Sequence, residues 1–342
     1  MNHIAIDLGG RKSQVCVRGA EGELKLQRKH DTRDLGLFLE GQPKSRVILE
    51  SSAEAFKVAD AAVAAGHEVR VVPASLAKAL GVGARGTKTD ERDARALSEM
   101  SCRMEVLPTV HIPAPRTREL RSTCTAREAL VSSRTQLINS VRGYCRTQLV
   151  QLPAGPAQTF PFRVRKMLGM RREGMPAMIG RLVVAIEALN VQIAAADKEL
   201  EGIAQQDAIC QRLITVPGVG PVTAVRYRAA LDETERFKDA HKVEAYLGLT
   251  PGENSSSERM QRTGITKAGP SQVRWTLVQA AWCLWRTRPQ DPNVLWAVNV
   301  AERRGRRVAI VALARKLSGI LFAMWRDGTN YDAHHNSQKH QA

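Results

Sequence analysis

The order of strand and helix signals in residues 1–105 constrains the fold of this chain more than any other feature. Candidate strands are predicted at 2–8, 13–18, 23–29, 46–51 and 68–73. The first three follow one another through short turns that contain glycine, which predicts an antiparallel meander. Helical patterns at about 32–41 and 53–65 separate the later strands and favour parallel pairing there. This order predicts an α/β domain with a ribonuclease-H-like sheet, in which the first and fourth strands are neighbours.

Four carboxylates stand at informative places in this order. Asp7 and Glu50 end the first and fourth candidate strands, so we expect them to meet at one end of the sheet. Asp90 and Asp93 lie at the start of a predicted helix, and their i,i+3 spacing puts them on one helix face. A single strand-end Asp is usually a turn residue or a helix cap. The joint pattern instead predicts a site for a hard divalent cation, which takes oxygen ligands.

Net charge indicates the kind of partner. The chain has 51 Lys and Arg against 34 Asp and Glu, a net charge of +17 and a pI near 10.1, which favours a polyanion, most simply nucleic acid. Together with the acids, this predicts metal-assisted chemistry on phosphate. No uninterrupted apolar run approaches the roughly 18 to 20 residues of a transmembrane helix, and no signal-peptide pattern is present. We therefore expect a cytoplasmic protein with no membrane partner and six reduced, mostly buried cysteines.

The middle of the chain is predicted to be helical. From Arg116 to Leu152 no proline interrupts, and a cysteine or an apolar residue recurs every seven positions. Over 178–204 apolar residues alternate at spacings of three and four, which is typical of a coiled-coil seam. Prolines at 153, 156 and 161 break the chain between the two segments. Residues 111–207 are therefore predicted to form an antiparallel helical stalk, with pairing between chains as the alternative.

Residues 208–326 are predicted to form a mainly helical third region. Pro217–Pro221 lies between two apolar segments and predicts a helix–hairpin–helix, whose glycines would let backbone N–H groups approach a phosphate. A plain turn between helices is the alternative. Three tryptophans are expected in the core of this region: Trp275, Trp282 and Trp285. Residues 327–342 are predicted to be a disordered tail.

Two further segments leave alternatives open. Asp7–Gly10 also resembles the first phosphate loop of the actin and sugar-kinase fold, with Gly81–Gly86 as a weak second loop. The basic charge and the helical stalk argue against a kinase. Ser255–Ser257 lies in a stretch rich in Gly and Pro, which is ordinarily a flexible loop, so composition alone does not make any of these serines a nucleophile.

Taken together, these motifs resemble a DEDD transposase of the insertion-sequence-110 family, relatives of the Piv-type DNA invertases, over roughly residues 3–325. The N-terminal match is I-D at Asp7, the strand-end Glu50, and K-T-D-x-x-D-A from Lys88 to Ala94. The C-terminal match is P-G-V-G-P from Pro217, R-F at Arg236, Y-L-G-L-T-P from Tyr246, S-S at Ser255, and G-I-T-K-A-G from Gly264.

This resemblance implies an N-terminal RuvC-like domain over 1–110, a coiled-coil insertion and a C-terminal serine domain. It implies that Asp7, Glu50, Asp90 and Asp93 hold Mg²⁺ or Mn²⁺. A serine would attack a DNA phosphate and form a covalent phosphoserine. The family's P-x-x-x-x-S spacing from Pro251 ends on Ser256, with Ser255 as the second candidate. Relatives commonly have glycines after the serine pair, where this chain has Ser257 and Glu258.

The resemblance also implies partners. These are double-stranded donor and target DNA, a non-coding bridge RNA, and further copies of the chain in a homo-oligomer, a dimer to a tetramer, that completes the site between subunits. A bacterial cytoplasmic location at the nucleoid is expected. Three alternatives stay open: a RuvC-like metal-dependent junction nuclease that needs no serine, an inactive copy that binds RNA and DNA, and a kinase-fold phosphotransferase that binds ATP.

Overall fold

A computed structural model describes residues 1–79, 90–170, 174–253 and 262–334. The chain divides into two compact units, Met1–Ala114 and Pro115–Ala342. The first contains a β-sheet covered by helices, and the second is mainly helical in its described residues. The chain is thus a mixed α/β protein, as the sequence predicts. The further division of the second unit at residue 208 stays a prediction.

The first unit is built on a five-stranded sheet. Its strands are β1 (Asn2–Asp7), β2 (Lys12–Arg18), β3 (Leu24–Asp31), β4 (Ser45–Glu50) and β5 (Glu68–Val72). They lie in the order β3-β2-β1-β4-β5, with the first three antiparallel and with β4 parallel to both β1 and β5. The predicted strand limits differ from these by at most two residues. Order and direction agree with the expected ribonuclease-H-like sheet.

Side-chain alternation divides the core of this unit between the two faces of the sheet. Its helices are α1 (Leu35–Glu40), which follows a 3₁₀ turn, α2 (Ala55–Ala64), α3 (Ala74–Ala79) and α4 (Asp90–Arg103). Ile4 and Ile6 face the cluster that includes residues of α1 and α2. Ala5 faces the opposite cluster, where Leu97 of α4 is fully buried. Helix α4 therefore covers the face on which the odd-numbered residues of β1 lie.

In its described residues, the second unit contains a bundle of helices and a hairpin of two short strands. Its elements are α5 (Pro115–Thr147), α6 (Phe160–Gly169), α7 (Ala177–Gln206), α8 (Ala208–Ile214), α9 (Pro221–Leu231), α10 (Ala240–Tyr246), β6 (Pro251–Glu253), β7 (Arg262–Ile265), α11 (Ser271–Thr287), α12 (Pro292–Arg304) and α13 (Arg306–Asp327). Helix α13 lies at the centre of the main core, with Ile310, Leu313, Leu317 and Leu321 buried at helical spacing.

The long helices α5 and α7 run antiparallel, as two polar contacts establish. Arg127 Nε donates to Asp197 Oδ1 at 2.7 Å, and Arg134 Nη1 donates to Asn190 Oδ1 at 2.9 Å. Seven residues forward on α5 thus correspond to seven residues backward on α7. Four apolar residues of the predicted α7 seam are buried at intervals of seven: Ile179, Ile186, Ile193 and Leu200. Arg134 is also buried, so a charged residue interrupts the apolar contact at the middle of α5.

Two helices, α7 and α13, could cross a membrane if length and composition were the criterion, with mean hydropathies of 1.5 and 1.7 over their most apolar windows. Half of the α13 window is buried inside the protein, where this helix forms the core. A buried core helix meets the same criterion, so these two helices are weak grounds for a membrane span.

Three expectations about side chains have different outcomes. All six cysteines are free and four are buried, as predicted. Trp282 and Trp285 pack partly against the core, but Trp275 is 52% exposed, so its expected core position is wrong. Its neighbours Val273 and Thr276 are the residues that α11 turns inward.

The C-terminal segment also differs from expectation. Disorder is predicted from Asp327, whereas the segment up to His334 makes defined contacts. Tyr331 Oη donates to Asp291 Oδ2 at 2.6 Å, and the backbone N–H of Tyr331 donates to Thr215 Oγ1 at 2.9 Å. The contacts of Tyr331 therefore order a polar segment whose composition predicts disorder. Residues 335–342 lie outside the described residues.

Candidate active site

Asp7 and Glu50 lie side by side at one end of the sheet. In the parallel pairing of β1 with β4, Ile6 is opposite Leu49, so the next residue on each strand is one of these acids. Alternation puts both on the α4 face, because Ala5 and Ile48, two residues earlier, belong to the cluster beneath α4. The expected meeting of these two acids at the carboxyl ends of neighbouring strands is confirmed.

Helix α4 brings Asp93 to the same end. His3 Nδ1 lies 2.8 Å from Ser101 Oγ, so the beginning of β1 is beside the end of α4. From His3 to Asp7 the strand rises by about 13 Å, and from Ser101 back to Asp93 the helix spans about 12 Å. Asp93 therefore lies on the part of α4 that extends from Ser101 toward the carboxyl end of β1. It is 4% exposed, whereas Asp90, the first residue of α4, is exposed.

Polar contacts anchor α4 on the sheet and so fix the level of its acids. Arg18, on β2, donates from Nε to Ser98 Oγ at 2.9 Å and from Nη2 to Glu99 Oε1 at 2.6 Å. Because Arg18 is 8% exposed, losing either acceptor would leave a buried donor without its partner. Near the start of the helix, Gln27 Nε2 donates to the Glu91 carbonyl at 3.0 Å.

Close packing in the turn after Asp7 accounts for Gly9, so this glycine does not indicate a phosphate-binding loop. A Cβ on Gly9 would lie 2.4 Å from the carbonyl oxygen of Lys12, so this position excludes any side chain. Thr32 Oγ1 donates to the Gly9 carbonyl at 2.6 Å, and Gly9 N donates to Ser13 Oγ at 3.3 Å. The Gly-Gly pair thus makes a closed turn that holds Asp7. The second loop of the kinase alternative, Gly81–Gly86, lies outside the described residues.

A further polar residue beside Asp7 was missed by the sequence reasoning. Gln14 is opposite Asp7 in the β1–β2 register, is 4% exposed and lies on the α4 face. A lone Gln inside a strand carries little signal. The signal that could have found it is its position opposite an acid in the predicted meander. Its side-chain amide can accept or donate a hydrogen bond beside Asp7.

The donor set fits a hard divalent cation by its chemistry, because all four predicted ligands are carboxylates. Their arrangement is more open than a closed metal site. Across residues 1–79, 90–170, 174–253 and 262–334, no three or more His, Cys, Asp or Glu side chains lie close enough together to hold a metal ion. Asp7 and Glu50 share one end of the sheet, and the role of the four acids as metal ligands stays a prediction.

Ser255 and Ser256 lie outside the described residues, in the segment 254–261. The two strands that this segment joins are described: β6 pairs antiparallel with β7, with Pro251 opposite Ile265 and Glu253 opposite Arg262. We call β6, β7 and the eight residues between them the serine hairpin. Its connection places the serine pair between two short paired strands.

The base of the serine hairpin is held by close backbone contact between residues 246–250 and 266–269, which we call the motif clasp. A Cβ on Gly248 would lie 2.2 Å from the Ala268 carbonyl oxygen, and Gly248 has a φ of +67°. Lys267 N donates to the Gly248 carbonyl at 3.1 Å, and Thr266 N donates to the Thr250 carbonyl at 2.9 Å. The sequence motifs Y-L-G-L-T-P and G-I-T-K-A-G are therefore two halves of one structure.

Side chains and a second glycine complete the motif clasp. Gly269 has a φ of +65°, and a Cβ there would lie 2.1 Å from the Tyr246 carbonyl oxygen. Arg274 Nη1 donates to the carbonyls of Leu247 and Gly269, each at 3.1 Å. One guanidinium thus bridges both halves of the motif clasp.

The turn at Pro217–Pro221 joins α8 to α9. Gly218 has a φ of +92°, and a Cβ there would lie 2.6 Å from the Ala280 carbonyl of α11. The N–H of Val219 is bonded to the Val216 carbonyl, and both valine side chains are buried. Packing against α11 is therefore enough to explain why residue 218 is glycine. At Gly220, by contrast, a Cβ would meet no atom within 4 Å, so its surroundings are open.

Comparison with known proteins agrees with these sites. Residues 4–147, which include the four acids, match a DEDD family described as "Transposase", and residues 210–294, which include the serine pair, match the "Transposase IS116/IS110/IS902 family". The transposase for insertion sequence element IS1111A from Coxiella burnetii is 30% identical over 246 residues, which cover 70% of this chain and 67% of that protein.

Two other relatives match nearly end to end. A probable family 20 transposase from Pseudomonas aeruginosa is 26% identical over 338 residues, covering 97% of this chain and 98% of that protein. The transposase for insertion sequence element IS1328 from Yersinia enterocolitica is 26% identical over 336 residues, covering 95% and 97%. The chain belongs to the IS110/IS116/IS902 family of transposases, enzymes that cut DNA and transfer its strands.

Proposed function

We propose that this transposase joins DNA through a covalent serine intermediate. Its catalytic groups would be a serine of the serine hairpin and the acids of the acidic edge, the end of the sheet where β1 and β4 finish at Asp7 and Glu50, and copies of the chain would assemble the complete site. The observation that carries the proposal is the adjacency of Asp7 and Glu50 at the ends of β1 and β4, on the face of the sheet that α4 covers. Two carboxylates at the ends of neighbouring strands, with the D-x-x-D pair on the helix that covers the same face, are suited to phosphodiester chemistry that needs a divalent cation.

In this proposal the nucleophile is the hydroxyl of Ser256, with Ser255 as the second candidate. A bond forms between the serine oxygen and the phosphorus of the DNA backbone, and one bond from phosphorus to a sugar oxygen breaks. The serine proton is lost and the departing sugar oxygen gains a proton. The bond energy is kept in the phosphoserine, so a hydroxyl of another strand can reverse the reaction and join DNA without ATP.

Asp7, Glu50, Asp90 and Asp93 would hold Mg²⁺ or Mn²⁺. A bound divalent cation supplies a Lewis acid that polarises the phosphoryl oxygen and lowers the pKa of a hydroxyl. Asp93 is 4% exposed, so its charge is poorly screened by water and favours a cation beside it. Gln14, opposite Asp7, is proposed to orient the Asp7 carboxylate.

The proposed partners are donor and target DNA, a non-coding bridge RNA and further copies of the chain. The net charge of +17 supports polyanionic partners. We propose the α5–α7 pair as a coiled coil that takes part in assembly. The turn between α8 and α9 is proposed as a helix–hairpin–helix that contacts DNA near the open Gly220.

The test is a covalent-adduct assay on a denaturing gel. Purified protein is mixed with Mg²⁺, element-junction DNA and the flanking non-coding RNA, beside Ser256→Ala and Ser255→Ala. We expect a protein–DNA band that is lost in Ser256→Ala and retained in Ser255→Ala. Omitting Mg²⁺ or the RNA should each abolish the band.

A second function, hydrolysis by a metal-dependent junction nuclease, is favoured by one observation. All four predicted acids belong to the first unit, and hydrolysis by a metal-bound water needs no serine. Cut DNA without an adduct, at equal rates in the wild type and Ser256→Ala, would establish the nuclease and overturn the serine mechanism. RNA and DNA binding with neither adduct nor cleavage would identify an inactive copy.

A further inference from the structure

A basic cleft lies beside the serine hairpin. It has a volume of about 760 Å³ and runs between β7, with the residues that follow it, and the end of α12 with the first turns of α13. Four of its lining residues are cations: Lys267, Arg304, Arg307 and Arg315. None of the described residues that line the cleft is acidic. Its volume is in the range of ligand sites, and its charge requires an anionic occupant.

Three of the four cations are available to such an occupant. Arg315 Nε is 2.5 Å from Glu244 Oε2, so its charge is already compensated. Lys267, Arg304 and Arg307 are exposed and have no ion-pair partner among the residues that the structure describes. Within the described part of the chain, the cleft therefore presents three positive charges that no acid neutralises.

The backbone adds to this field. Arg307 and Val308 line the cleft in the first turn of α13, a 22-residue helix that begins at Arg306. The first N–H groups of a helix carry a partial positive charge and attract phosphate. Between the charges the cleft is apolar, with Val308, 48% exposed, and Val311 along it. Alternating cations and apolar surface suits a chain in which phosphates alternate with sugars.

We propose that the basic cleft binds the sugar–phosphate backbone of the DNA strand next to the phosphate attacked by the serine, with Lys267, Arg304 and Arg307 as positioning residues. The proposal rests on the serine mechanism above for its choice of strand. Pro251, Thr263 and Ile265 of the serine hairpin form one wall, so a strand held here continues from the hairpin that carries the serines. The cleft sets where along that strand the serine reacts.

The first test measures the salt dependence of DNA binding in a Ser256→Ala background, where no adduct forms. The probes are a fluorescein-labelled single-stranded DNA 20-mer and an RNA of the same sequence. Combining Lys267→Gln, Arg304→Gln and Arg307→Gln should lower the slope of log K against log salt for DNA by about 2, because each phosphate contact contributes about 0.7 on a single strand. Circular dichroism checks that the variant is folded.

The matched control removes three exposed arginines of the same unit that do not line the cleft: Arg286→Gln, Arg288→Gln and Arg303→Gln. We expect its slope to equal that of the parent. Equal slopes for both triple variants would overturn the proposal, since charge number alone would then explain the binding. A slope that falls for RNA but not for DNA would also overturn it, by assigning the cleft to RNA.

A second test locates the DNA strand directly by crosslinking from a single exposed position, so its result does not depend on a variant that removes charges. Val308→p-benzoylphenylalanine should crosslink to the DNA 20-mer on irradiation, and Leu295→p-benzoylphenylalanine, which starts from the same 48% exposure outside the cleft, should not. Equal crosslinking at both positions would refute the cleft. Both tests are independent of the adduct assay: adducts that persist when Ser255 and Ser256 are both replaced by alanine refute the serine mechanism, whereas failure of the cleft leaves that mechanism intact.

Discussion

The acidic edge of the first unit and the serine hairpin of the second are positioned by different physical means. At the edge, regular strand pairing aligns Asp7 with Glu50, and the register is repeated over five residue pairs of β1 and β4. The serine hairpin has two short strands, and its base is fixed by backbone segments in direct contact at Gly248 and Gly269. A sheet register tolerates many side-chain changes, but a backbone contact tolerates no Cβ.

This difference predicts how substitutions at each site affect chemistry and folding. A substitution of an acid at the edge should change chemistry and leave the fold intact, because the sheet does not depend on strand-end side chains. A substitution in the motif clasp should change the fold around the hairpin first and chemistry as a consequence. The predictions that follow test this contrast, from the largest expected effect to the smallest.

The largest effect is expected for Glu50→Gln. It replaces a carboxylate with a neutral amide of the same shape, so DNA cleavage should fall by about a thousand-fold or more, as for the loss of a group that stabilises transition-state charge. The thermal unfolding midpoint should stay within a few degrees of the wild type. Cleavage of labelled junction DNA in Mg²⁺ measures the first and circular dichroism the second.

The control for this substitution is Glu54→Gln, four residues later and also half-buried, which should retain cleavage within a few-fold. Equal losses in both variants would mean that the effect is one of local charge. A Glu50→Gln protein that melts far below the wild type would make this acid structural and remove the contrast between the two regions.

The second largest effect is expected for Gly248→Ala. Alanine would have to adopt the left-handed backbone conformation of Gly248, and its Cβ would collide with the Ala268 carbonyl oxygen. The free energy of unfolding of the second unit should therefore fall by about 3 kcal/mol or more. All five tryptophans lie in this unit, so their fluorescence during urea unfolding reports it.

Gly328→Ala separates strain from collision. Gly328 has a φ of +69° in the same unit, but a Cβ there would meet nothing within 4 Å. This variant should lose about 1–2 kcal/mol, the conformational cost alone. If the two alanine variants were equally stable, the close approach in the motif clasp would carry no energy.

A third, smaller effect concerns the exposed side of α7. Val184 and Val191 are 57% and 65% exposed, at a spacing of seven residues, on the side away from the seam buried against α5. If α7 also pairs between copies, Val184→Glu with Val191→Glu should lower the mass measured by light scattering and change the unfolding midpoint little. Ile186→Asp should instead unfold the helix pair, because it buries a charge. An unchanged mass for the double glutamate variant would exclude this side of α7 from assembly.

The sequence predicted the neighbouring ends of β1 and β4 well because each step used a local signal. Apolar runs of strand length and the helix start at Asp90 gave the elements, and the order of the elements gave the neighbours. It did not predict Gln14, since pairing opposite Asp7 is a long-range fact. In the second unit it found the motif clasp as two unrelated motifs, because contact between Gly248 and Ala268 leaves no trace in either segment alone. Trp275 was assigned to the core by type, although its exposure depends on which side α11 turns inward.

The smallest effect we predict is a pH dependence of the stability of the first unit, caused by His3 near the start of β1, at the opposite end of that strand from Asp7. Burial, followed by the nearby charges of Arg46 and the N-terminal amine, lowers the pKa of His3, whose Nδ1 contacts Ser101 on α4. The unfolded chain, with a histidine pKa near 6.5, then binds a proton that the folded chain resists. The free energy of unfolding should therefore fall as the pH drops from about 6.5 through the lowered pKa, and His3 should contribute no pH dependence above that range.

Hydrogen exchange of peptides from β1 and α4, corrected for the intrinsic pH dependence of exchange, measures this local opening. Between pH 7 and pH 5.5 the wild type should lose protection in both peptides together, because His3 joins the strand to the helix. His3→Gln should flatten that dependence, whereas His241→Gln, at an exposed position in the second unit, should leave it unchanged. A wild-type profile that is equally flat would mean that the contact between His3 and Ser101 does not hold α4 on the sheet. The contacts of Arg18 with Ser98 and Glu99 would then be sufficient to hold the helix in place.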